Sequence, residues 1–389
     1  MSSNEFSFRN SSFIFADMGT FGGHTSHAYA INDAGLMVGS DTRNEPGNKF
    51  GFTPGYAAIW DNSYYVPKTT LLADHDSNAY GINNFSSIVG SSLKDIGGNS
   101  QITATVWRDG EASYLASLSN GQYKSIAKAI NDQGLIVGDS FTSDTWEGQH
   151  ASLWTDTGVI DLGTLGGRCS SASAINNKGV VAGCASSTKW DDVFGIEAIH
   201  PVIWKEGKII NLSPEHYGAA SSINDNDLVV GSVLDDEMHS HATLWMNQKE
   251  ITLQSSVDSS SYASAINNKN QVVGSEMRGF SQQHALLWNT PDSAPIDLNQ
   301  YLDQSQLEAG WLLVDASDIN DQGWIIGTAW NPKTYESHAF LLTVQGVTGL
   351  TDAAPAQPAQ VVAATATVTV ATTAAAAHVA SADIWSGMY

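Results

Sequence analysis

The chain has 389 residues, of which 40 are Asp or Glu and 17 are Lys or Arg, and its formal net charge is −23. Such a surface repels phosphate groups, so the composition argues against nucleic-acid binding and against docking on anionic membranes. The length would allow two or three ordinary domains, but an internal repeat overrides this estimate.

The N-terminal segment combines two signals. It lacks a basic start followed by an apolar run, so we expect no cleavable secretory signal peptide. Residues 16–23 read ADMGTFGG and match residues 160–167, IDLGTLGG, almost position for position. The chain therefore begins with the last strand of a repeat, and we expect that strand to complete or flank the last unit of a closed ring.

Seven repeats follow, each centred on an Ile-Asn pair. In every copy an Ala lies four residues before the Asn and a Gly lies seven residues after it. The Asn positions are separated by 51, 48, 45, 48, 43 and 53 residues. The seven Asn residues are Asn32, Asn83, Asn131, Asn176, Asn224, Asn267 and Asn320.

Each repeat is predicted to contain four short strands. The first ends at Ile-Asn, and the second is an apolar run that ends at the repeated Gly. Between them lies a tight turn whose fourth residue is usually Gly, with Asp227, Asn270 and Ser86 as exceptions. These types, Ser86 apart, tolerate a left-handed conformation, so Ser86 marks the weakest turn. The third strand ends in Trp in six repeats, and the fourth ends near Asp-Leu or Asn-Leu.

Four antiparallel strands in each of seven units predict an all-β fold, a seven-bladed β-propeller of about 48-residue repeats over residues 1–350. We expect no helices, because no segment shows helical periodicity. The units resemble the HAF-repeat family of extracellular repeat proteins, which reads A-x-AIN-x-x-G-x-V-x-G and then HAF-LW and DLG. The resemblance covers about residues 13–350, and it implies a propeller outside the cell.

The composition changes after residue 350. Residues 351–389 are rich in Ala and Thr and end in DIWSGMY. We interpret this segment as an irregular tail that docks onto a protein partner and not as a membrane span, because Ala and Thr gain little on transfer into lipid. The predicted attachment residues are Ile384, Trp385, Met388 and Tyr389.

The residues that suggest chemistry have structural interpretations. The repeated histidines His150, His200, His241, His284 and His338 belong to the Trp motif, and we expect each to make a hydrogen bond within its own blade. Calcium at the Asn-Asp turns is the alternative to a role in the turn itself, and no other cofactor or metal is predicted. Cys169 and Cys184 allow either a disulfide or two buried thiols.

Departures from the repeat indicate where binding would occur, because loops on a rigid scaffold carry recognition. The connection between the second and third strands is longest in repeats one and four. The predicted binding residues in the connections of repeats one, three and four are Phe50, Phe52, Trp146, Trp190, Asp191, Asp192 and Phe194. Aromatic and acidic side chains of this kind suit recognition of a protein or a glycan.

Two functions follow from these expectations. The first is a non-enzymatic interaction or structural module, displayed outside the cell or on a particle such as a virion and attached through its tail. The alternative is an extracellular carbohydrate-active enzyme whose site lies at one mouth of the propeller. No catalytic motif in the sequence favours the second.

Overall fold

The computed structural model describes residues 13–43, 55–61, 68–73, 76–191, 195–255, 260–279 and 282–344. These residues form seven four-stranded antiparallel sheets, and the chain order places the sheets as seven blades. The all-β, seven-bladed prediction is therefore confirmed. The predicted boundary near residue 350 and the four attachment residues of the tail lie outside the described residues.

The strands are short and follow the repeat. The N-terminal strand and blade one are β1 (Phe13–Asp17), β2 (Ser26–Ile31), β3 (Leu36–Thr42), β4 (Gly55–Asp61) and β5 (Lys68–Leu71). Blades two and three are β6 (Ser77–Ile82), β7 (Ile88–Ile96), β8 (Asn99–Arg108), β9 (Glu111–Tyr114), β10 (Ser125–Ile130), β11 (Ile136–Phe141), β12 (Gln149–Thr155) and β13 (Gly158–Asp161). Blades four and five are β14 (Gly166–Ile175), β15 (Val181–Asp191), β16 (Ile196–Lys205), β17 (Lys208–Asn211), β18 (Gly218–Ile223), β19 (Val229–Leu234), β20 (Ser240–Met246) and β21 (Lys249–Thr252). Blades six and seven use β22 (Ser261–Ile266), β23 (Val272–Arg278), β24 (Gln282–Trp288), β25 (Ile296–Asp297), β26 (Leu312–Ile319), β27 (Ile325–Asn331) and β28 (Glu336–Val344).

Blade seven has only three strands of its own, and the N-terminal strand supplies the fourth. Strand β1 pairs antiparallel with β28, with Phe13 opposite Val344 and Asp17 opposite Phe340. The ring is thus closed by hydrogen bonds between the two ends of the described chain, as the match between residues 16–23 and 160–167 predicted.

The hydrophobic core lies between blades. Seven clusters of buried side chains each combine residues of two neighbouring blades. The Trp of the third strand packs against the preceding blade and is at most 4% exposed in all six cases. Leu342 takes its place in blade seven and is fully buried. A flat indole thus fills the wedge between adjacent sheets.

Two expectations about local structure were wrong. Much of the long connection in repeat four is strand, because β15 and β16 continue beyond the blade as a hairpin with a register shift between Ser186 and Trp190. In addition, α1 (Gln304–Ala309) and two 3-10 turns (Trp146–Gly148 and Leu298–Tyr301) are helical. A helix of six residues held by a capping box at Asp303 is too short to show a hydrophobic period.

Candidate functional site

The seven repeated Asn residues form a closed ring around the propeller axis, which we call the Asn ring. Each Asn donates from Nδ2 to the backbone carbonyl of the Asn in the next blade, over 2.9 to 3.2 Å. The last bond runs from Asn320 to Asn32 and closes the circle. All seven side chains are 3 to 5% exposed.

The same side chain also shapes its own turn. In blade three, Oδ1 of Asn131 accepts from the backbone N–H groups of Gln133 and Leu135 at 3.1 and 2.9 Å. Its backbone N–H donates to the carbonyl of Leu135. Asn131 therefore forms the hairpin with its oxygen and joins the next blade with its nitrogen. Asp would lack that donor, which explains why the residue is Asn in every repeat.

The residues that directly follow the seven repeated Asn residues in the sequence form a second ring, which we call the Asp/Asn ring. Its members in blade order are Asp33, Asn84, Asp132, Asn177, Asp225, Asn268 and Asp321. Each backbone N–H donates to Oδ1 of the following member over 2.8 to 2.9 Å. In addition, the amide nitrogen of each Asn donates to Oδ2 of both flanking Asp residues.

The two rings and the preceding Ile residues line an open polar cavity of about 180 Å³ at this mouth of the axis. Its Asp oxygens accept hydrogen bonds from backbone and side-chain amides, which is a structural use of these carboxylates. Among the described residues no group of three or more His, Cys, Asp or Glu side chains is placed to hold a metal ion. The hydrogen bonds of the two rings thus give the Asn-Asp turns a structural role.

The opposite end of the propeller, which we call the loop face, carries the connections between second and third strands. Of the predicted binding residues, Trp190 lies at the end of the β15–β16 hairpin, and its side chain is 51% exposed. Asp191 ends β15 and pairs with Ile196. Trp146 begins a 3-10 turn in blade three. Phe50, Phe52, Asp192 and Phe194 lie outside the described residues.

Arg168 joins the connections of blades three and four. Its Nε donates to Oε1 of Glu197 at 3.1 Å, and its backbone N–H donates to Oε2 of the same residue at 2.6 Å. Its Nη1 donates to Glu147, within the 3-10 turn, at 2.5 Å. The structure thus brings together two connections that the sequence had singled out separately. Arg168 itself carries no sequence signal, because it precedes the repeat motif at a variable position.

Blade five contributes a further aromatic residue, Tyr217, beside the β15–β16 hairpin. The ammonium of Lys189 lies 5.6 Å from the centroid of the Tyr217 ring, and His200 packs edge-on against the same ring at 5.7 Å. His200 is buried, and its Nδ1 is 3.0 Å from the backbone carbonyl oxygens of Ser213 and His216. We call the resulting surface the loop-face patch, and its members are Glu147, Arg168, Lys189, Trp190, Glu197 and Tyr217.

The repeated histidines hydrogen-bond locally, as expected. His150, His284 and His338 each contact an Asp at the end of the fourth strand of their blade, over 2.7 to 3.0 Å. His241 contacts Asp235 at 2.6 Å. The hydrogen bond to Asp161 raises the pKa of His150 and, against the effect of burial, lowers the pKa of Asp161. These pairs tie the third strand to its neighbours.

Both cysteines are free thiols. Cys184 lies opposite Ser171 in the β14–β15 pair, so Cys169 is two residues out of register with it. Burial raises the pKa of Cys169 to about 11 and the pKa of Cys184 to about 12, so neither is a thiolate at neutral pH.

The fold and the two faces define a seven-bladed β-propeller whose axis is surrounded by hydrogen-bonded rings at one mouth. Residues 169–346, which lie in blades four to seven, match DUF3466, a family described as proteins of unknown function. The chain is also similar to the β-propeller domain of the Trilobed protease from Pyrococcus furiosus, described as having an open velcro topology. The TM-score is 0.52 at 12% identity, over 82% of this chain and 96% of that one. This likeness concerns the fold alone. No curated protein matches the sequence.

None of the helices in the described ranges is long and apolar enough to cross a membrane.

Proposed function

We propose that this protein is a non-enzymatic interaction module, which engages a protein partner through the loop-face patch and is attached to an extracellular or particle surface through residues 351–389. A β-propeller in itself suggests an interaction or structural module. The observation that supports our assignment of the surface is Trp190, a large aromatic side chain that is half exposed on a hairpin projecting from the propeller.

The hairpin supports recognition because it is held in place before any partner binds. Arg168 links Glu197, which lies opposite Trp190 in the hairpin, to Glu147 of the neighbouring blade, so three blade segments share one ion network. A pre-ordered surface loses little conformational entropy on binding. Trp combines a large apolar area with few rotatable bonds and is enriched where binding energy concentrates.

The proposed location rests on the repeat and the charge. The units resemble the HAF-repeat family, and we propose that the chain belongs with these extracellular repeat proteins. A net charge of −23 favours a soluble surface module over one bound to nucleic acid. We propose the tail as the attachment segment because the composition of the chain changes sharply after residue 350 and because the tail contains Trp385 and Tyr389 near its end.

Limited proteolysis followed by mass spectrometry tests the tail. The purified chain and the chain in its native assembly are digested under the same conditions, and cleavage within residues 351–389 is compared. We expect the tail to be cut in isolation and protected in the assembly. Equal cutting in both would refute attachment through this segment.

Photo-crosslinking tests the loop-face patch. A benzoylphenylalanine replaces Trp190, or Phe85 as the matched control, because Phe85 is also 51% exposed but lies in a turn at the opposite face. Irradiation in the native assembly should link one discrete protein to position 190 and none to position 85. Equal labelling at both positions would refute the patch.

Binding to a panel of immobilised glycans tests the alternative that the ligand is a carbohydrate. Loss of glycan binding in Trp190→Ala, with binding retained in Phe85→Ala, would make the ligand a carbohydrate and overturn the protein-partner proposal.

A further inference from the structure

The Asp/Asn ring has an odd number of members. Alternating Asp and Asn place an amide donor between every two carboxylates, but seven positions cannot alternate without one repetition. That repetition falls between Asp321 and Asp33, at the interface of blades seven and one. Six of the seven side-chain contacts in the ring have an Asn donor, and at the seventh both side chains are carboxylates.

The backbone holds these two carboxylates together. The N–H of Asp321 donates to Oδ1 of Asp33 at 2.9 Å, as at every other step of the ring. Oδ2 of Asp33 accepts from Asn84, and Oδ2 of Asp321 accepts from Asn268, both at 2.9 Å. At each of the other six steps of the ring, an Asn amide donates to the neighbouring carboxylate. Between Asp33 and Asp321 there are instead two carboxylate acceptors and no side-chain donor.

A third carboxylate lies at the same interface. Asp318 occupies a position that is Ala, Gly or Ser in the other repeats. Its Oδ2 accepts from the backbone N–H of Ile31 at 2.9 Å, across the boundary between blades seven and one. We call Asp33, Asp318 and Asp321 the acid seam.

Burial and neighbouring carboxylates favour protonation of Asp33 and Asp318. Burial, together with the charges of Asp321 and Asp132, raises the pKa of Asp33 against the hydrogen bonds that it accepts. Burial and the charge of Asp33 raise the pKa of Asp318 to about 6. The titratable groups that face Asp33 are thus Asp318 and Asp321 of blade seven and Asp132 of blade three, all of them acidic.

We propose that Asp33 and Asp321 share one proton, and that this proton is the donor that completes the Asp/Asn ring. A carboxylic O–H of one residue donates to Oδ2 of the other, in the position that an Asn amide fills elsewhere. Because the blade seven–blade one interface is where the ring closes, the proton makes closure of the propeller dependent on pH.

The direction of this dependence follows from proton linkage. Two separate Asp side chains in the unfolded chain release their protons near pH 4, as ordinary Asp does. The folded pair retains one proton to higher pH, so the folded state binds more protons than the unfolded state in this window. Stability of the interface therefore rises as the pH falls from neutral towards about 4, and is lost as the pair ionises.

Asp321→Asn tests the proposal, because it supplies a permanent amide at the seam, at the expense of one donor–donor contact with Asn268. That contact is present at every pH, so the result lies in how the difference in thermal midpoint between the variant and the unmodified protein changes with pH. We expect this difference to favour the variant by about 2 °C or more at pH 7.5 relative to pH 5, because the shared proton fills the gap in the unmodified protein only at the lower pH. A difference between the two proteins that stays constant from pH 5 to 7.5 would overturn the proposal.

Asp225→Asn is the matched control. Asp225 lies in the same ring, but Asn177 and Asn268 bridge it on both sides. The substitution also removes one negative charge, yet it creates two donor–donor contacts. It should lower the unfolding midpoint equally at pH 5 and pH 7.5. A rise at pH 7.5 would mean that general charge relief, and not the seam, explains the effect of Asp321→Asn.

Asp33→Asn provides a second route if Asp321→Asn does not fold. It should show the same loss of pH dependence as expected for Asp321→Asn. Infrared difference spectra of the unmodified protein at pH 6.5 should contain the C=O stretch of a protonated carboxyl group that disappears in Asp33→Asn. Persistence of that band in Asp33→Asn, with loss in Asp318→Asn, would assign the proton to Asp318 and refute the shared pair.

Discussion

The repeated Gly of the second strand is required by the path of the first strand. Each Gly lies opposite the repeated Ala, and in every blade the register shifts just after that pair. This bulge carries a backbone carbonyl over the Gly, so an added Cβ would lie 1.9 to 2.1 Å from the carbonyl oxygen. Any side chain would force the two inner strands apart.

Gly138→Ala should therefore destabilise the protein by about 1–3 kcal/mol, the range for an overpacked site that must shift its backbone. Its Cβ would lie 2.1 Å from the carbonyl oxygen of Ile126. Gly55→Ala is the control, because the atom nearest to its added Cβ, Oδ1 of Asn78, would be 3.5 Å away. Urea unfolding of both variants measures the difference. Equal stabilities would show that the inner strands adapt without cost.

Ser86 occupies the left-handed position that Gly, Asp or Asn fills in the other six turns. Its φ is 59°, and its turn keeps the hydrogen bonds of the other repeats. Ser86→Gly should stabilise the protein by about 1 kcal/mol, because a left-handed residue with a Cβ is strained. Gly134→Ser, at the equivalent turn of blade three, should destabilise it by a similar amount. Thermal unfolding of the two variants should shift in opposite directions; a shift in the same direction would contradict this explanation.

Blade four departs from the repeat in a pair of linked positions. In five blades the N–H of an Ala in the third strand donates to a Ser hydroxyl at the start of the next blade, as in Ala151 to Ser170. Blade four has Pro201 at the Ala position, which has no N–H, and the next blade has Gly218 in place of Ser. At this interface the backbone donor and the hydroxyl acceptor are therefore both missing.

At the scale of the element, the first strand of five blades connects to its neighbours at both ends. A Ser hydroxyl joins it to the preceding blade, and the Asn ring joins it to the following blade. Blades five and seven have Gly218 and Val314 at the Ser position and keep the Asn ring. Asn131→Asp should destabilise the protein by about 3 kcal/mol, because the buried donor to Asn176 becomes a charge that faces a carbonyl oxygen.

Gln133→Glu is the control for Asn131→Asp. Its side chain also donates across the same interface, to the carbonyl of Asn177, but it is exposed to solvent. Water can replace this bond, so we expect a loss below about 1 kcal/mol. Denaturant titration of the two variants at pH 7 separates them. Similar losses would mean that burial of the Asn ring adds nothing to its strength.

The whole molecule is closed by its N-terminal strand. Strand β1 adds the pairing with β28, the edge contact of Phe13 with Tyr301, and the hydrogen bonds that the Asp17 carboxylate accepts from His338. Deletion of residues 1–17 should lower the thermal midpoint by about 5 °C or more, because Phe340 and its neighbours lose their cover. A chain that begins at Phe13 is the control, because it keeps all of β1. Equal midpoints would show that three strands suffice for blade seven.

Much of this architecture is determined by the sequence alone. The number of blades, their four strands, the left-handed turns and the closing strand follow from a repeat in which each residue type has a local backbone reason. The buried Trp residues follow as well, because a large apolar side chain at a fixed position of a repeat must fill a fixed gap.

Only the tertiary structure decided how the repeats act on one another. The Asn and the following Asp or Asn of each turn have a sufficient local explanation as hairpin residues, so no local pattern predicts two rings. Those rings exist because the blades place seven equivalent turns around one axis. For the same reason Arg168 joins two connections that are distant in sequence, and an odd number of blades brings Asp321 against Asp33. Contacts of this kind depend on distances between blades, which no local pattern of residues records.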